Sequence, residues 1–193
     1  MTLLDRFRTQ PHNHPDPAVR LAYLAELPIT EREQIVAAAR EDADPRVRKA
    51  AVGKILDPQV LAGILRDDAD VSVREAALTM LRDVALDAFE GVDEIGSLAA
   101  VDALEDGRTL AQIAKTSLRE SVARRALDRL EPPAGAGGAA NPFLSSVARQ
   151  AELEPIRAAA FARLTSHEDF LALALHSDVV VHVTVSVLGE MAT

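Results

Sequence analysis

The sequence predicts an all-α chain, an α-solenoid of about seven stacked helical hairpins wound into a right-handed superhelix. Three observations carry that prediction. The pattern Asp-x-x-Val-Arg-x-Ala recurs at Asp16–Ala22, Asp44–Ala50 and Asp70–Ala76. Around each copy the apolar positions follow a helical period rather than the alternation of a strand. Weaker copies continue the series, so that the anchors Val19, Val47, Val73, Gly96, Val122, Ile156 and Val181 lie 28, 26, 23, 26, 34 and 25 residues apart. A spacing of this size marks a repeated supersecondary unit. A length of 193 residues with 48% apolar and 26% charged content suits one folded array of such units.

Residues 1–13 read as a lead-in and 14–193 as the array. In the first three units Asp16, Asp44 and Asp70 stand where an N-cap is needed, and Pro17 and Pro45 follow at the first helical position, where a missing N–H costs nothing. Offsets 0, +3, +4, +5 and +7 or +8 from each anchor are mostly apolar, ending at Leu27, Ile55 and Leu81 in these units. Alanine at +3 and +4 lets neighbouring helices approach closely. The other helix of each hairpin has its own start signals: Thr30 followed by Glu33, Asp57-Pro58, Asn141-Pro142, and Ser166 followed by Asp169. Its buried positions are expected at Ile35, Val36, Leu61, Ile64, Leu65, Leu110, Ile113, Leu144, Val147, Leu171 and Leu175. The long gap between anchors 122 and 156 contains Pro- and Gly-rich 132–140, a flexible insertion able to loop out of the stack. Segment 179–188 alternates apolar and polar residues and reads alone as a strand, but the repeat register and Asp178 favour a helix. Its apolar character, where a solenoid needs a polar terminal face, predicts a cap from elsewhere or self-association.

The pattern Asp-x-x-Val-Arg-x-Ala-Ala-x-x-x-Leu, complete at Asp70–Leu81 and nearly so at Asp44–Ile55, resembles the second-helix signature of HEAT-like repeats of the short bacterial, phycobilin-lyase type. The resemblance spans about residues 14–190, with departures at Gly96 and Ser97 for Val-Arg, at Ala123 for Arg and at Arg125 for Ala. The chain is also similar to the N-terminal part of longer bacterial proteins of unassigned role. The resemblance implies a stacked helical scaffold. Some of its branches carry chemistry, and their requirements are not met here. Deoxyhypusine hydroxylases build a di-iron site from several His-Glu pairs, whereas this chain has His167-Glu168 alone. No polar constellation marks a bilin pocket of the lyase kind. Alkylpurine DNA glycosylases present a basic groove with aromatics, and this chain offers neither.

Composition points the same way. A net charge of −9 and six aromatic residues exclude a general nucleic-acid binder, which needs cations for phosphates and rings for bases. No apolar run reaches the roughly 18 residues of a membrane span, and charge interrupts Met1–Arg8 too early for a secretory leader. A cytoplasmic location is expected. With no cysteine, thiolate metal sites and cysteine nucleophiles are excluded. His12, His14 and Asp16 read as a solvated loop rather than a chelate, and His176, Asp178 and His182 as a cap with two imidazoles. Gly135–Gly138 follows no strand and carries no Lys-Ser/Thr, so no phosphate loop is present. No cofactor, metal or catalytic set is expected.

Three groups of side chains remain. Arg20, Arg48, Arg74 and Arg157 occupy offset +1. An anion ladder would need these donors free of carboxylates, so pairing with an aspartate of the same or a neighbouring repeat is the favoured reading, with Asp16, Asp44 and Asp70 as caps of the same structural set. Offsets +2 and +6 are expected to line a concave face, where Lys49, Glu75, Thr79, Asp102, Arg124 and Asp128 would meet a partner. Charge is uneven: residues 67–106 carry net −10 and residues 107–163 net +4. Within the acidic stretch Asp83, Asp87, Glu90, Asp93 and Glu94 form either a solvated face or a docking patch for a basic partner. The expected function is a non-catalytic scaffold for a protein or peptide. The alternatives are an enzyme or cofactor carrier with its site in the concavity, and an architectural segment of a longer polypeptide.

Overall fold

A computed structural model describes residues 10–130 and 142–164, and its regular elements there are all helical. A 3-10 turn, Pro11–Asn13, precedes α1 (Pro17–Glu26), α2 (Arg32–Glu41), α3 (Pro45–Val52), α4 (Pro58–Asp67), α5 (Val71–Ala85) and α6 (Glu94–Asp102). Then follow α7 (Gly107–Thr116), α8 (Glu120–Asp128), α9 (Pro142–Gln150) and α10 (Glu154–Ala162). The chain divides into two compact units, Met1–Ala103 and Leu104–Thr193.

The helices start where local chemistry supplies the missing hydrogen bonds. Asp16, Asp44 and Asp70 accept from the amides of Ala18, Arg46 and Ser72 at 2.8 Å each, opening α1, α3 and α5. Asp57, Asp93 and Asp106 do the same for α4, α6 and α7. Each such carboxylate satisfies an amide that the first helical turn leaves orphaned.

In the first unit α2 packs on α3 and α4 on α5, forming two hairpins. The second helices α1, α3 and α5 pack in succession, and the first helices α2 and α4 meet as well. In the other unit α7/α8 and α9/α10 are hairpins, with α7 against α9 and α8 against α10. Within each unit, neighbouring hairpins therefore touch through both helices, the contact pattern of a helical repeat. The core is the apolar column of each repeat. Val47, Ala51, Val52 and Ile55 are buried, as are Val73, Ala77 and Leu81, then Val122, Ala126, Leu127 and Leu130, then Ile156, Ala160 and Leu164. Ile35, Leu61, Ile64, Leu110, Ile113, Leu144 and Val147 meet them from the first helices. One close approach constrains the sequence: a Cβ on Gly107 would lie 2.9 Å from the Phe143 ring, so α7 begins with glycine where α9 crosses it.

Several expectations change. The described residues hold four hairpins and two single helices, α1 and α6, rather than a run of complete hairpins. At the fourth anchor the spacing shrinks to 23 residues. α5 runs on for 15 residues, and the chain turns through Asp87 (φ 59°) and Gly91 (φ 86°) straight into α6. No room is left for a separate first helix. Val19 is 36% exposed, unlike Val47 and Val73, because no described helix covers that side of α1. Thr30 does not cap α2. A turn closed by the Glu31 amide on Pro28 O shifts the start, so Glu31 stands at the N-cap and makes no side-chain cap bond. The insertion 132–140, the cap signals at Asn141 and Ser166, Leu171, Leu175, the His176–His182 group and segment 179–188 lie outside the described residues.

Candidate interaction surface

The recurring arginines of the repeat turn inward, onto backbone and neighbouring loops. Arg20 grips Asp42 through Nε and Nη2, both at 2.7 Å, while its Nη1 donates to His14 O at 2.6 Å and Pro15 O at 3.2 Å. Arg48 repeats this on Asp68 at 2.8 and 2.9 Å, with Nη1 on Asp42 O at 2.9 Å. Asp42 and Asp68 also accept the amides of Asp44 and Asp70 at 2.8 Å. One carboxylate thus closes its own loop and receives the arginine of the preceding second helix. The sequence reading assigned these arginines to an aspartate without fixing which one. The partners lie five residues before the next anchor, and the capping Asp44 and Asp70 are two residues further on.

The lock is incomplete elsewhere. Arg74 donates through Nη1 to Asp68 O at 2.7 Å and Ala69 O at 3.1 Å, but the position equivalent to Asp68 in the next unit is Gly91. Arg157 donates likewise to Ala151 O and Glu152 O. In the fourth unit the arginine position holds Ser97, fully buried, whose hydroxyl donates to Val84 O at 3.2 Å.

These bonds shape the carboxyl groups. The Arg48 fork holds Asp68 below its ordinary value against the opposing effect of burial. At Asp42 burial pushes upward, yet the Arg20 bond and the Asp44 amide together leave it lowered. Asp44 is held at about 2, chiefly by the Arg46 side chain and amide. Because each folded value lies below the unfolded one, this stabilisation is complete above the unfolded value of 3.8 and is lost as pH falls toward about 2. The urea midpoint of the Met1–Ala103 unit is expected to drop over that window. A midpoint that stays flat across it would show that these carboxylates contribute nothing to folding.

A second basic column escaped the sequence reading. Lys54, Arg129 and Arg163 all stand at offset +7. Lys54 Nζ donates to Leu24, Ala25 and Leu27 carbonyls at 2.6, 2.9 and 2.8 Å, capping the end of α1. Arg163 does the same to Leu127 and Leu130, and Arg129 reaches Leu104 O at 2.8 Å. The acceptors sit at offsets +5 to +8 of the preceding repeat, so a cation meets the negative end of the neighbouring helix. Aligning offset +7 across the units is the signal that would have found it.

The six residues expected to meet a partner, Lys49, Glu75, Thr79, Asp102, Arg124 and Asp128, are all exposed. Thr79 donates to Glu75 O at 2.9 Å and Arg124 pairs with Glu120 at 2.8 Å, while Asp128 is 3.9 Å from Arg163. The acidic group is less uniform. Asp83 is half-buried and pairs with Arg82 at 2.7 Å, and Asp93 caps α6; Asp87, Glu90 and Glu94 are exposed.

His14 Nδ1 accepts the Asp16 amide at 3.1 Å, and His12 lies against the Tyr23 ring at 6.0 Å between centroids. Among the described residues, no group of three or more His, Asp or Glu side chains is arranged to hold a metal ion. No helix there is long and apolar enough to cross a membrane. What the geometry shows is therefore an all-helical, repeat-like architecture with inward locks and an outward charged face. In comparisons with family models, with curated proteins and with solved structures, the chain matches none.

Proposed function

We propose that this chain is a non-catalytic scaffold of HEAT-like repeats, which holds a protein or peptide partner across the exposed face of its second helices. The observation that carries this reading is a division of labour among charges. The arginines at offset +1 are spent on carbonyls of the loop before their own helix and, for Arg20 and Arg48, on an aspartate of the next repeat, and the cations at offset +7 on carbonyls of the preceding one, whereas the side chains of Lys49 and Glu75, on the adjacent helices α3 and α5, are exposed and have no partner among the described residues. Repeated helices that present unspent side chains in a row suit an elongated ligand. Exposed Asp87, Glu90 and Glu94 favour a partner of basic character.

The test is affinity capture with the full chain, followed by quantitative binding to the partner so identified. The double variant Lys49→Glu with Glu75→Lys is expected to weaken binding by about tenfold or more, a loss of some 1.4 kcal/mol. Gln59→Lys, on the exposed side of α4, should leave it unchanged. Equal binding by all three proteins, or a metal or visible chromophore retained through purification, would overturn the reading.

A further inference from the structure

A groove of about 650 Å³ lies within the Met1–Ala103 unit, between the first turn of α2, the α3–α4 turn and the segment 89–93. Buried Ile35, Ile55 and Val84 form its floor, with half-buried Val36, Phe89 and Val92 at its sides. Ile29 stands on the rim 67% exposed, a large apolar side chain left to water. The wall 89–93 is set by the chain itself. Asp87 (φ 59°) and Gly91 (φ 86°) take the left-handed conformation that folds it back, and the amides of Ala88 and Val92 donate to Asp83 O and Phe89 O at 3.0 and 3.3 Å.

That wall is acidic. Asp87, Glu90, Asp93 and Glu94 fall within eight residues, and no lysine or arginine stands between Arg82 and Arg108. Glu90 is exposed without a partner among the described residues, while Asp93 spends only Oδ1, on the Gly96 amide at 2.8 Å. Asp57, also in the groove, likewise spends only Oδ1, on the first amides of α4. Of the two cations that line the groove, Lys54 is held by three carbonyls at the end of α1, which leaves Arg32 alone in opposition. Carboxylates with unspent oxygens complement a cation, and the floor between them complements an aliphatic side chain.

We propose that this groove is a docking site for a basic segment of a partner protein, which sets an aliphatic side chain on Ile35, Ile55 and Val84 and directs its flanking lysines or arginines to Glu90, Asp93 and Asp57. The inference rests on the scaffold reading and adds to the second-helix face a separate contact, at the turns between hairpins.

The probe is the peptide acetyl-Lys-Leu-Lys-Leu-Lys-amide, titrated into the full chain. It is expected to shift the backbone amide resonances of Gly53, Gly91 and Gly96, which line the groove, and to leave that of Gly63 in place. Glu90→Lys should weaken its binding about tenfold and Ile29→Ser about threefold, and added salt should weaken it further. Both positions are exposed, so the fold is kept; Leu118→Ser, at an exposed leucine of the other unit, should change nothing. Unchanged binding by either groove variant, or equal binding of a probe with serine for leucine, would overturn the proposal. Tighter binding of a probe with glutamate for lysine would overturn it in favour of an acidic segment held by Arg32, and a dimer in sedimentation that Ile29→Ser dissolves would overturn it in favour of a second copy. A captured partner that responds to Lys49→Glu with Glu75→Lys, but to neither groove variant, would overturn the groove alone and leave the scaffold reading standing.

Discussion

Asp68→Ala is expected to destabilise the Met1–Ala103 unit by about 2–4 kcal/mol, read as a fall in the urea midpoint without a change in slope. The Asp68 side chain is 6% exposed and its partner Arg48 13%, so neither is rescued fully by water. Removing the carboxylate deletes both bonds from Arg48 and the acceptor for the Asp70 amide, and it leaves a guanidinium half-buried with only Asp42 O beside it. Asp68→Asn separates these effects, because an amide oxygen still accepts from Asp70 while the charge is gone; about half the loss is expected. Pairing Asp68→Ala with Arg48→Met should recover part of the loss, since the cost of stranding one charge exceeds the worth of the pair. Arg74→Ala should cost less than Arg48→Ala, as Arg74 holds two carbonyls and no carboxylate. A loss below about 0.5 kcal/mol for Asp68→Ala would place this lock with ordinary surface ion pairs.

The same locks show what a sequence discloses. Helix starts at Asp16, Asp44, Asp57 and Asp70 were legible because capping is local: the acceptor lies two or three residues from its amide. Buried columns were legible for a similar reason, since helical period alone sorts Ile35 and Leu61 from their exposed neighbours. Partners of Arg20 and Arg48 were only half legible. Their carboxylates are 22 and 20 residues away, and two aspartates in each loop fit the pattern until the packing chooses one. The Lys54 column was missed because its acceptors are backbone carbonyls, which carry no residue signature. At the fourth anchor the motif survives in Asp93, Ala100, Val101 and Leu104, but a motif does not report the absence of the helix before it. The exposed face at Lys49 and Glu75 follows from the same period as the core; what it meets does not.

Leu81→Ala tests whether the apolar column, rather than the polar locks, holds the repeats together. Leu81 is fully buried at the offset that also holds Ile55, Leu130 and Leu164. Its helix, α5, packs on α3, α4 and α6, so the space left by three missing carbons is walled on several sides. Such a site collapses poorly, and a loss of about 3–4 kcal/mol is expected from transfer and cavity terms together. Leu118→Ala supplies the contrast: at a residue 80% exposed, it should shift stability by less than about 0.5 kcal/mol. Hydrogen exchange locates the effect. Because Met1–Ala103 forms a compact unit of its own, amides of α3–α6 should lose protection in Leu81→Ala while those of α7–α10 keep theirs. Equal loss along both sets of helices would mean that the chain unfolds as one cooperative body, and that the stability of each repeat is shared well beyond its nearest neighbours.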